Sequence, residues 1–528
     1  MSSANCEEDP TMLDNDAILV AQGDKPCRLL LNQANRHGLI AGASGTGKTV
    51  TFKVMAEGFS EAGVPVFMAD VKGDVTGLAQ AGEPSEGLSR RMESLGLDPA
   101  AFKFSASPVR EWDMLGDGGI PVRVTVSDMG PVLLSRLLGL TEVQSGVLDI
   151  AFRVADDKDL LLIDLKDLRS MLSYVSEHAK EYRATYGNVS SQSVGAILRR
   201  LISVEDQGGD VFFGEPALDL SDWFQCAPDG RGYVNILNAT KLVQSPQVYA
   251  MFLLWMLTTI YERLPEVGDL DKPKFVFFFD EAHLLFDDMP EALTDKIVQV
   301  VKLVRSKGVG VYFITQSPSD VPDEVLAQLS NRVQHGLRAY TPSEQKAVRA
   351  AAASFRPNPA FDSEQALGEL GTGEALISFL DEEGRPSVVE RAKVLPPQCR
   401  MGAADASVMK EVLSSQAPLM EKYGAAVDRE SAFEQLSAQS AVEAEQARLA
   451  EERKQLEKER AALEKSKQKE EARRQREEEK EEERRQREAE KQQERQRKQL
   501  ERAAGSILGT FGREATRQIV RGIFGTRR

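Results

Sequence analysis

The chain has 528 residues, a net charge of −16, four cysteines and four histidines, and is too long for one ordinary core. Cys6, Cys27, Cys226 and Cys399 never approach CxxC spacing, so neither a disulfide framework nor a structural zinc site is expected, and the thiols suit a reducing cytosol. The first 440 residues hold 41 basic against 62 acidic groups, which excludes a uniformly basic nucleic-acid-binding surface but not a small basic ring facing a channel.

Glu7, Glu8 and Asp9 stand where a secretion signal would carry basic residues, and no apolar run follows them, so no signal peptide is expected. The most apolar run, 248–260, is 13 residues long, short of the ~20 needed to cross a bilayer. A cytoplasmic location without a transmembrane segment is expected, with peripheral membrane contact left open.

Residues 1–38 read as a short lead-in with strand candidates at 17–20 and 27–31. The stretch GASGTGKT at 42–49 then completes a GxxxxGK[ST] loop between a strand-like 39–41 and a helix beginning near residue 50. Successive backbone N–H groups in such a glycine turn form a concavity for phosphates, reinforced by the unpaired N–H groups of the helix start. The candidate nucleotide-binding residues are Gly42, Ala43, Ser44, Gly45, Thr46, Gly47, Lys48, Thr49 and Val50. Lys48 places a cation between the β- and γ-phosphates of ATP, and the Thr49 hydroxyl is a ligand for Mg²⁺.

The apolar run 64–69 ends at Asp70 and reads as the next parallel strand of a βαβ unit, with Lys72, Gly73 and Asp74 continuing its edge. From about 75 to 230 a largely helical insertion is expected. It begins with a Gly- and Pro-rich part containing a strand-like 120–126. A helical stretch follows at 128–168, marked by Leu133, Leu134, Leu137, Leu138, Val147, Leu148 and Phe152, and another at 190–202. A strand at 232–237 leads to an all-round apolar helix over 247–264, with Pro246 at its start and Trp255 in the core.

The run 275–279 is a continuous apolar strand that ends in two carboxylates. Asp280 is placed to hold Mg²⁺ opposite Thr49, and Glu281, turned differently, to accept a proton from an attacking water. His283 reads equally well as a helix-start residue or a catalytic one. A helix over 293–306 carries Lys302 and Arg305, and a second apolar strand over 309–315 ends at Gln316, a polar amide suited to touch the γ-phosphate or the attacking water. Further strands are expected at 332–340 and 373–379; six residues apart, Arg332 and Arg338 would share a face of a regular strand. The segment 394–399 closes the folded part, and 401–440 reads as a linker.

From 441 to 502 the chain is nearly all Glu, Gln, Lys, Arg and Ala, without Pro or Gly, and is expected to be a charged helix spanning about 93 Å at 1.5 Å per residue. Glu470/Arg474, Glu481/Arg485, Glu483/Arg487 and Glu494/Lys498 have the favourable i,i+4 order. Leu449, Leu456 and Leu463 permit a short coiled coil. This arm reads as a spacer or a site for recruiting an unknown protein partner. In the tail 503–528, Leu508, Phe511, Ala515, Ile519 and Ile523 form an apolar stripe beside Arg513, Arg517 and Arg521, an amphipathic pattern for docking on protein or anionic lipid.

Taken in order, GASGTGKT at 42–49, MADVKGD at 68–74, FFFDEAH at 277–283, LVRSKGVGVYFITQSPSDVP at 303–322 and the Asn331-Arg332 segment resemble the HerA/FtsK superfamily of motor ATPases, and most closely its HerA-like branch typified by the YjgR proteins. The resemblance spans roughly residues 10–400. It implies an α/β, RecA-like P-loop core with a central, mostly parallel sheet, a homohexameric ring, and ATP sites between neighbouring subunits. It further implies that Lys48 and Thr49 are the Walker A residues, Asp280 and Glu281 the Walker B pair, Gln316 the sensor, and Arg305 the finger reaching a neighbour's site, with Arg332 and Arg338 as weaker candidates for such contacts. The lead-in of 1–38 is too short for the N-terminal β-barrel of bona fide HerA translocases, and neither the membrane segments nor the DNA-reading winged helix of FtsK-like pumps is visible. The resemblance therefore supports ATP hydrolysis more strongly than DNA pumping, and leaves DNA a candidate partner.

Overall fold

The computed structural model describes residues 12–116, 118–242, 245–268, 270–286 and 291–507, so nearly all of the tail anticipated at 503–528 lies outside the described residues. Of the described residues, those up to Ser437 form one compact unit and those from Ala438 a second.

The first unit is built on one thirteen-stranded sheet. Its strands are β1 (Leu13–Asp14), β2 (Ala17–Gln22), β3 (Pro26–Leu30), β4 (Gly38–Ala41), β5 (Val66–Asp70), β6 (Val109–Asp113), β7 (Ile120–Pro121), β8 (Val234–Asn238), β9 (Phe275–Phe279), β10 (Val309–Thr315), β11 (Asn331–His335), β12 (Glu374–Ser378) and β13 (Glu390–Val394). They run in the order β1-β2-β13-β12-β11-β4-β10-β9-β5-β8-β6-β7, with β3 beside β2. From β11 to β7 every pairing is parallel, and from β11 outward to β1 every pairing is antiparallel. The lead-in strands β2 and β3 are thus part of this sheet's antiparallel flank.

Helices cover both faces, which is why the central strands are apolar without alternation. Along β9, Phe275, Phe277 and Phe279 enter one core while Val276 and Phe278 enter the other, as a period of two requires. The second core holds α1 (Lys48–Glu61), whose Phe52 and Phe59 rings pack on Phe278. The opposite face of α1 is polar yet buried. Lys53 Nζ donates to the carbonyls of Arg400 (3.0 Å), Met401 (3.0 Å) and Gly402 (3.2 Å), and the Glu57 carboxylate accepts from the N–H groups of Gln398 (2.9 Å) and Cys399 (2.8 Å). Burial pushes Glu57 up to about 7 and lowers Lys53.

The short helix α2 (Glu86–Glu93) precedes β6, a strand that the sequence pattern hides. Arg110, Glu111 and Asp113 interrupt its apolar residues, but Arg110 is buried by bonding the Asp222 carbonyl (2.5 Å). Strand structure at 120–126 stops at Pro121, because Thr125 caps the next helix. The helical stretch expected at 128–168 is three helices, α3 (Val126–Leu137), α4 (Glu142–Asp157) and α5 (Leu165–Glu177). Gly130 kinks the first at φ 70°, and capping boxes at Thr141 and Asp164 start the other two. Three more follow, α6 (Ala179–Tyr186), α7 (Ser191–Glu205) and α8 (Gly209–Phe212), and then α9 (Pro246–Arg263), which buries Trp255 as anticipated. Next come α10 (Glu291–Val304), α11 (Asp323–Leu326), α12 (Pro342–Ala353) and α13 (Ser363–Glu369).

The chain does not leave the fold at residue 400. Instead of a linker, α14 (Ala406–Ser415) and α15 (Ala417–Tyr423) pack on β6 and β7. Tyr423 is fully buried edge-on to Trp112; its hydroxyl donates to Asp222 (2.6 Å) and accepts from the Asp219 N–H (3.1 Å). The short apolar pattern of α14 and α15 carried too little periodicity to announce this packing. The last helix, α16 (Ala432–Ile507), is 76 residues long, and its first N–H groups bond Leu161 O (3.0 Å) and Asp167 Oδ1 (2.9 Å).

The second unit is the exposed length of α16, as the composition predicts. Of the four ion pairs named from sequence, the described contacts include Glu494–Lys498 (2.7 Å); the other i,i+4 contacts run from Arg to Glu, as in Arg473–Glu477 (3.3 Å). Leu449, Leu456 and Leu463 are exposed along it. Among the described residues no helix is long and apolar enough to cross a membrane.

Tyr423→Ala is expected to lower the unfolding free energy by about 3–5 kcal/mol, the range for deleting a buried aromatic ring. Urea unfolding followed by circular dichroism measures it, and a loss under about 1 kcal/mol would show that the segment after residue 400 is not part of the core.

Candidate active site

The order β4-β10-β9-β5 sets four carboxyl ends side by side, and the residues leaving those ends make the site. From β4 the chain turns through Gly42 to Gly47 into α1. Gly45 and Gly47 sit at φ 76° and 113°, in the left-handed region, and a Cβ on Gly47 would come within 3.1 Å of Gly373 Cα. The loop is pinned from below, with Gly42 N–H donating to Thr315 O (3.2 Å) and Ala43 N–H to Gly336 O (3.0 Å). The buried Lys48 ammonium folds onto the loop's own carbonyls, Gly42 O (2.5 Å) and Ala43 O (3.1 Å). Burial, then the nearby Lys72, lower its pKa against the attraction of Glu281, Asp280 and Asp320.

The two carboxylates after β9 differ in environment. Asp280 is buried; one oxygen accepts the Glu281 N–H (2.9 Å) and the other, Oδ2, has no hydrogen-bond partner. Burial is the main reason its pKa is pushed up to about 6; Lys72 opposes this, and the charges of Glu281 and Asp74 add to it. Glu281 takes a left-handed backbone conformation (φ 49°, ψ 54°), uncommon for a residue with a Cβ, which turns its side chain out of line with Asp280. Its Oε1 meets Lys72 Nζ at 2.6 Å, while Oε2 lies 3.2 Å from His283 Nδ1 and has no hydrogen-bond partner; the Gln316 side chain lies beside it. Burial works to raise its pKa, but the Lys72 bond and charge, with His283 and Gln316, hold it below the usual carboxylate range. The result is a carboxylate kept ionised by Lys72 beside a second that holds its proton more tightly, each with one oxygen that lacks a hydrogen-bond partner.

Lys48, Asp280, Glu281 and Gln316 therefore come together, and His283 joins them through Glu281. Arg305 does not join them within one chain. It is exposed in the turn Arg305–Lys307 before β10, at the amino edge of the parallel strands, where its charge acts on His37 at the start of β4. The seven residues of β10, roughly 23 Å at ~3.3 Å each, separate that edge from Gln316. Arg332 is committed locally, donating to Leu329 O (3.0 Å) and Leu326 O (3.0 Å). The strand carrying it ends at His335, so Arg338 is exposed beyond it and the shared-face argument fails.

Three participants were not assigned roles from sequence. Lys72 was placed at the right edge, but only the strand order reveals that β5 is the neighbour of β9. Asp320 anchors the end of β10, accepting from Thr315 Oγ1 (2.5 Å) and Ser317 N–H (2.9 Å). His335 lies behind the phosphate loop, at the end of a strand whose pairing with β4 the sequence does not announce.

The residues fit a divalent cation bound with phosphate. A buried acidic oxygen without a partner, Asp280 Oδ2, faces the site that holds Lys48, and Thr49 opens α1 directly after that lysine. Because Asp280 binds its proton more tightly folded than unfolded, its burial penalty is full above about pH 6 and vanishes below about pH 4. Asp280→Asn is therefore expected to stabilise the nucleotide-free protein by about 2 kcal/mol at pH 7.5, with the gain shrinking as pH falls toward 4. Denaturant unfolding at several pH values measures it; destabilisation at pH 7.5 would contradict the account.

Residues 15–528 match the family model described as Helicase HerA-like C-terminal. The DNA double-strand break repair helicase HerA of Sulfolobus acidocaldarius is 27% identical over 149 residues, 28% of this chain and 29% of that protein. The protein of the same name from Sulfurisphaera tokodaii is 27% identical over 150 residues, 28% of this chain and 29% of that protein. The aligned stretch thus spans under a third of these curated relatives. Among solved structures, the unbound monoclinic form of the bacterial conjugative coupling protein TrwB is similar with a TM-score of 0.49 at 14% identity, covering 74% of this chain and 92% of that one. With an intact phosphate loop on a parallel α/β sheet and a family model matched over residues 15–528, this chain belongs to the Helicase HerA-like C-terminal family.

Proposed function

We propose that the chain is a cytoplasmic, Mg²⁺-dependent ATPase of the HerA-like branch typified by the YjgR proteins, working as a hexameric ring. The observation that carries the reading is the ionised Glu281, held by Lys72 at 2.6 Å among the carboxyl ends that also present Lys48 and Gln316. The loop from Gly42 to Val50 binds the phosphates of ATP through its N–H groups from Ser44 onward, those of Gly42 and Ala43 being held by Thr315 O and Gly336 O, and Lys48 exchanges its bonds to the loop's own carbonyls for phosphate oxygens. Thr49 and Asp280 would hold Mg²⁺, which would supply neutralisation of the phosphate charge. Glu281 takes a proton from the water that attacks the γ-phosphorus, the bond to the β-phosphate oxygen breaks, and ADP leaves with the electron pair. Gln316, touching Glu281, orients that water and registers its loss.

Arg305 completes the site from a neighbouring copy, neutralising charge that develops in the transition state. Its place at the opposite edge of the sheet supports a contribution made only in an assembly. DNA as the cargo is supported by the names of the two HerA relatives, which are DNA repair helicases. The fully exposed length of α16 favours a second reading, in which ATP turnover switches a scaffold that recruits a protein partner through the arm without acting on nucleic acid.

Glu281→Gln is expected to bind ATP with affinity close to the parent's while phosphate release falls by a factor of about 100 or more, and Arg305→Ala to spare nucleotide binding but lose most turnover. Mixing the two inactive proteins should restore part of the activity if the arginine acts across subunits. Steady phosphate release by Glu281→Gln at the parent rate would remove the hydrolytic reading, and parental turnover by Arg305→Ala would remove the shared site. To separate the two outputs, ATPase rate is measured with duplex DNA at low and high salt: salt-sensitive stimulation is expected for a motor on DNA, and its absence favours the scaffold.

A further inference from the structure

One support of the phosphate loop is a histidine. Strand β11 runs parallel to β4 with Gln334 opposite Ala41, so the following residue, His335, lies beside the first residue of the loop. The fit is tight enough that a Cβ on Gly42 would stand 2.5 Å from His335 Cβ. The imidazole is fully buried and has a partner on each nitrogen. Nδ1 is 3.0 Å from Glu374 O, in β12, and Nε2 is 2.8 Å from Thr51 Oγ1, in the first turn of α1.

These partners fix the tautomer. A carbonyl oxygen only accepts, so Nδ1 carries the proton; in the neutral ring Nε2 then accepts, and the Thr51 hydroxyl donates to it. Burial, the largest influence, holds the imidazole down to about 4, so the ring is neutral near pH 7. The surrounding bonds make it one member of a frame. Gly373 N–H donates to Thr46 O at the crest of the loop (2.8 Å), and Arg91, from α2, donates to Gly373 O (2.6 Å) and Val394 O (2.8 Å). The Thr46 carbonyl also lies within reach of the imidazole.

We propose that His335 is a positioning residue for the triphosphate, a neutral strut that braces the first glycine of the loop, its crest and the first turn of α1 against β12. The inference rests on the ATPase reading and adds how the cradle is held in shape. Backbone N–H groups stabilise phosphate charge in proportion to their alignment, and an open glycine loop does not align itself. A single residue whose Cβ stands beside Gly42, and whose ring approaches Gly47 through Cε1, as a Cβ there would lie 3.5 Å from it, and bonds Thr51, supports both ends of the loop at once.

The test uses the full chain, Mg²⁺ and fluorescently labelled ATP, with His335→Ala, Thr51→Val and the double variant, alongside steady-state phosphate release. His335→Ala is expected to weaken ATP binding about tenfold and to raise KM by a similar factor, with kcat within about threefold of the parent. Thr51→Val should show a smaller change of the same kind, and the double variant should match His335→Ala within about twofold, because the hydroxyl–imidazole bond that Thr51→Val removes is already lost in His335→Ala. Parental affinity in His335→Ala with a parent-like circular dichroism spectrum, or multiplication of the two effects in the double variant, would overturn the proposal. Should His335→Ala not fold, Thr51→Val decides alone, and parental affinity there is equally fatal. A parent protein that fails to bind ATP would instead overturn the ATPase reading, so the two failures are told apart.

Discussion

A parallel sheet covered by helices on both faces leaves charged groups one economical place, the ends of its strands. Every ionic feature of the candidate site follows from that constraint. Phe275 to Phe279 fill both cores, and where the strand runs out Asp280 and Glu281 emerge together. Lys72 emerges the same way from β5 and Gln316 from β10, so groups distant in sequence meet at one edge. The two ammonium groups and two carboxylates cannot all be satisfied among themselves. Glu281 Oε1 takes Lys72, and Glu281 Oε2 and Asp280 Oδ2 are each left without a hydrogen-bond partner. That imbalance is what a metal-bound phosphate would relieve, at a stability cost of the kind often found at functional sites.

The same sheet explains why the amino edge holds a different chemistry. His37, buried there, faces Val301 O at 2.8 Å and accepts the Val311 N–H at 3.0 Å, stitching β4 to β10 at their starts. Arg305 stands at that edge and projects toward solvent rather than into its own chain's phosphate loop. In the proposed ring, the groups at one edge of the sheet and Arg305 at the other would meet only across two copies, which would tie hydrolysis to assembly.

Much of this was legible in the residues. The glycine loop, the apolar strand ending in Asp280-Glu281 and the strand ending in Gln316 each carry their chemistry within a few consecutive positions, and the charged arm declares itself by composition. What stayed hidden depends on which strands are neighbours. Lys72 acquires a role only because β5 lies beside β9, and His335 only because β11 lies beside β4. Strand β6 escaped notice because Arg110, Glu111 and Asp113 break its apolar run, and the burial of Arg110 rests on a partner more than a hundred residues away, the Asp222 carbonyl. The supposed linker after residue 400 failed for a related reason. Tyr423 is a single anchor in a polar stretch, and one buried ring leaves no periodicity to read.

The polar back of α1 has a consequence for anyone who shortens this protein. Lys53 and Glu57 are satisfied by main-chain groups of residues 398–402, beyond the final strand of the sheet. Truncation at the last strand, the boundary a designer would choose by eye, would strip counter-groups from an ammonium and a carboxylate sealed on the helix that begins at the phosphate loop. Leaving such groups stranded costs roughly 3–5 kcal/mol apiece, a large share of an ordinary domain's margin. A minimal catalytic fragment must therefore run past the sheet to at least Ser437, where the compact unit closes.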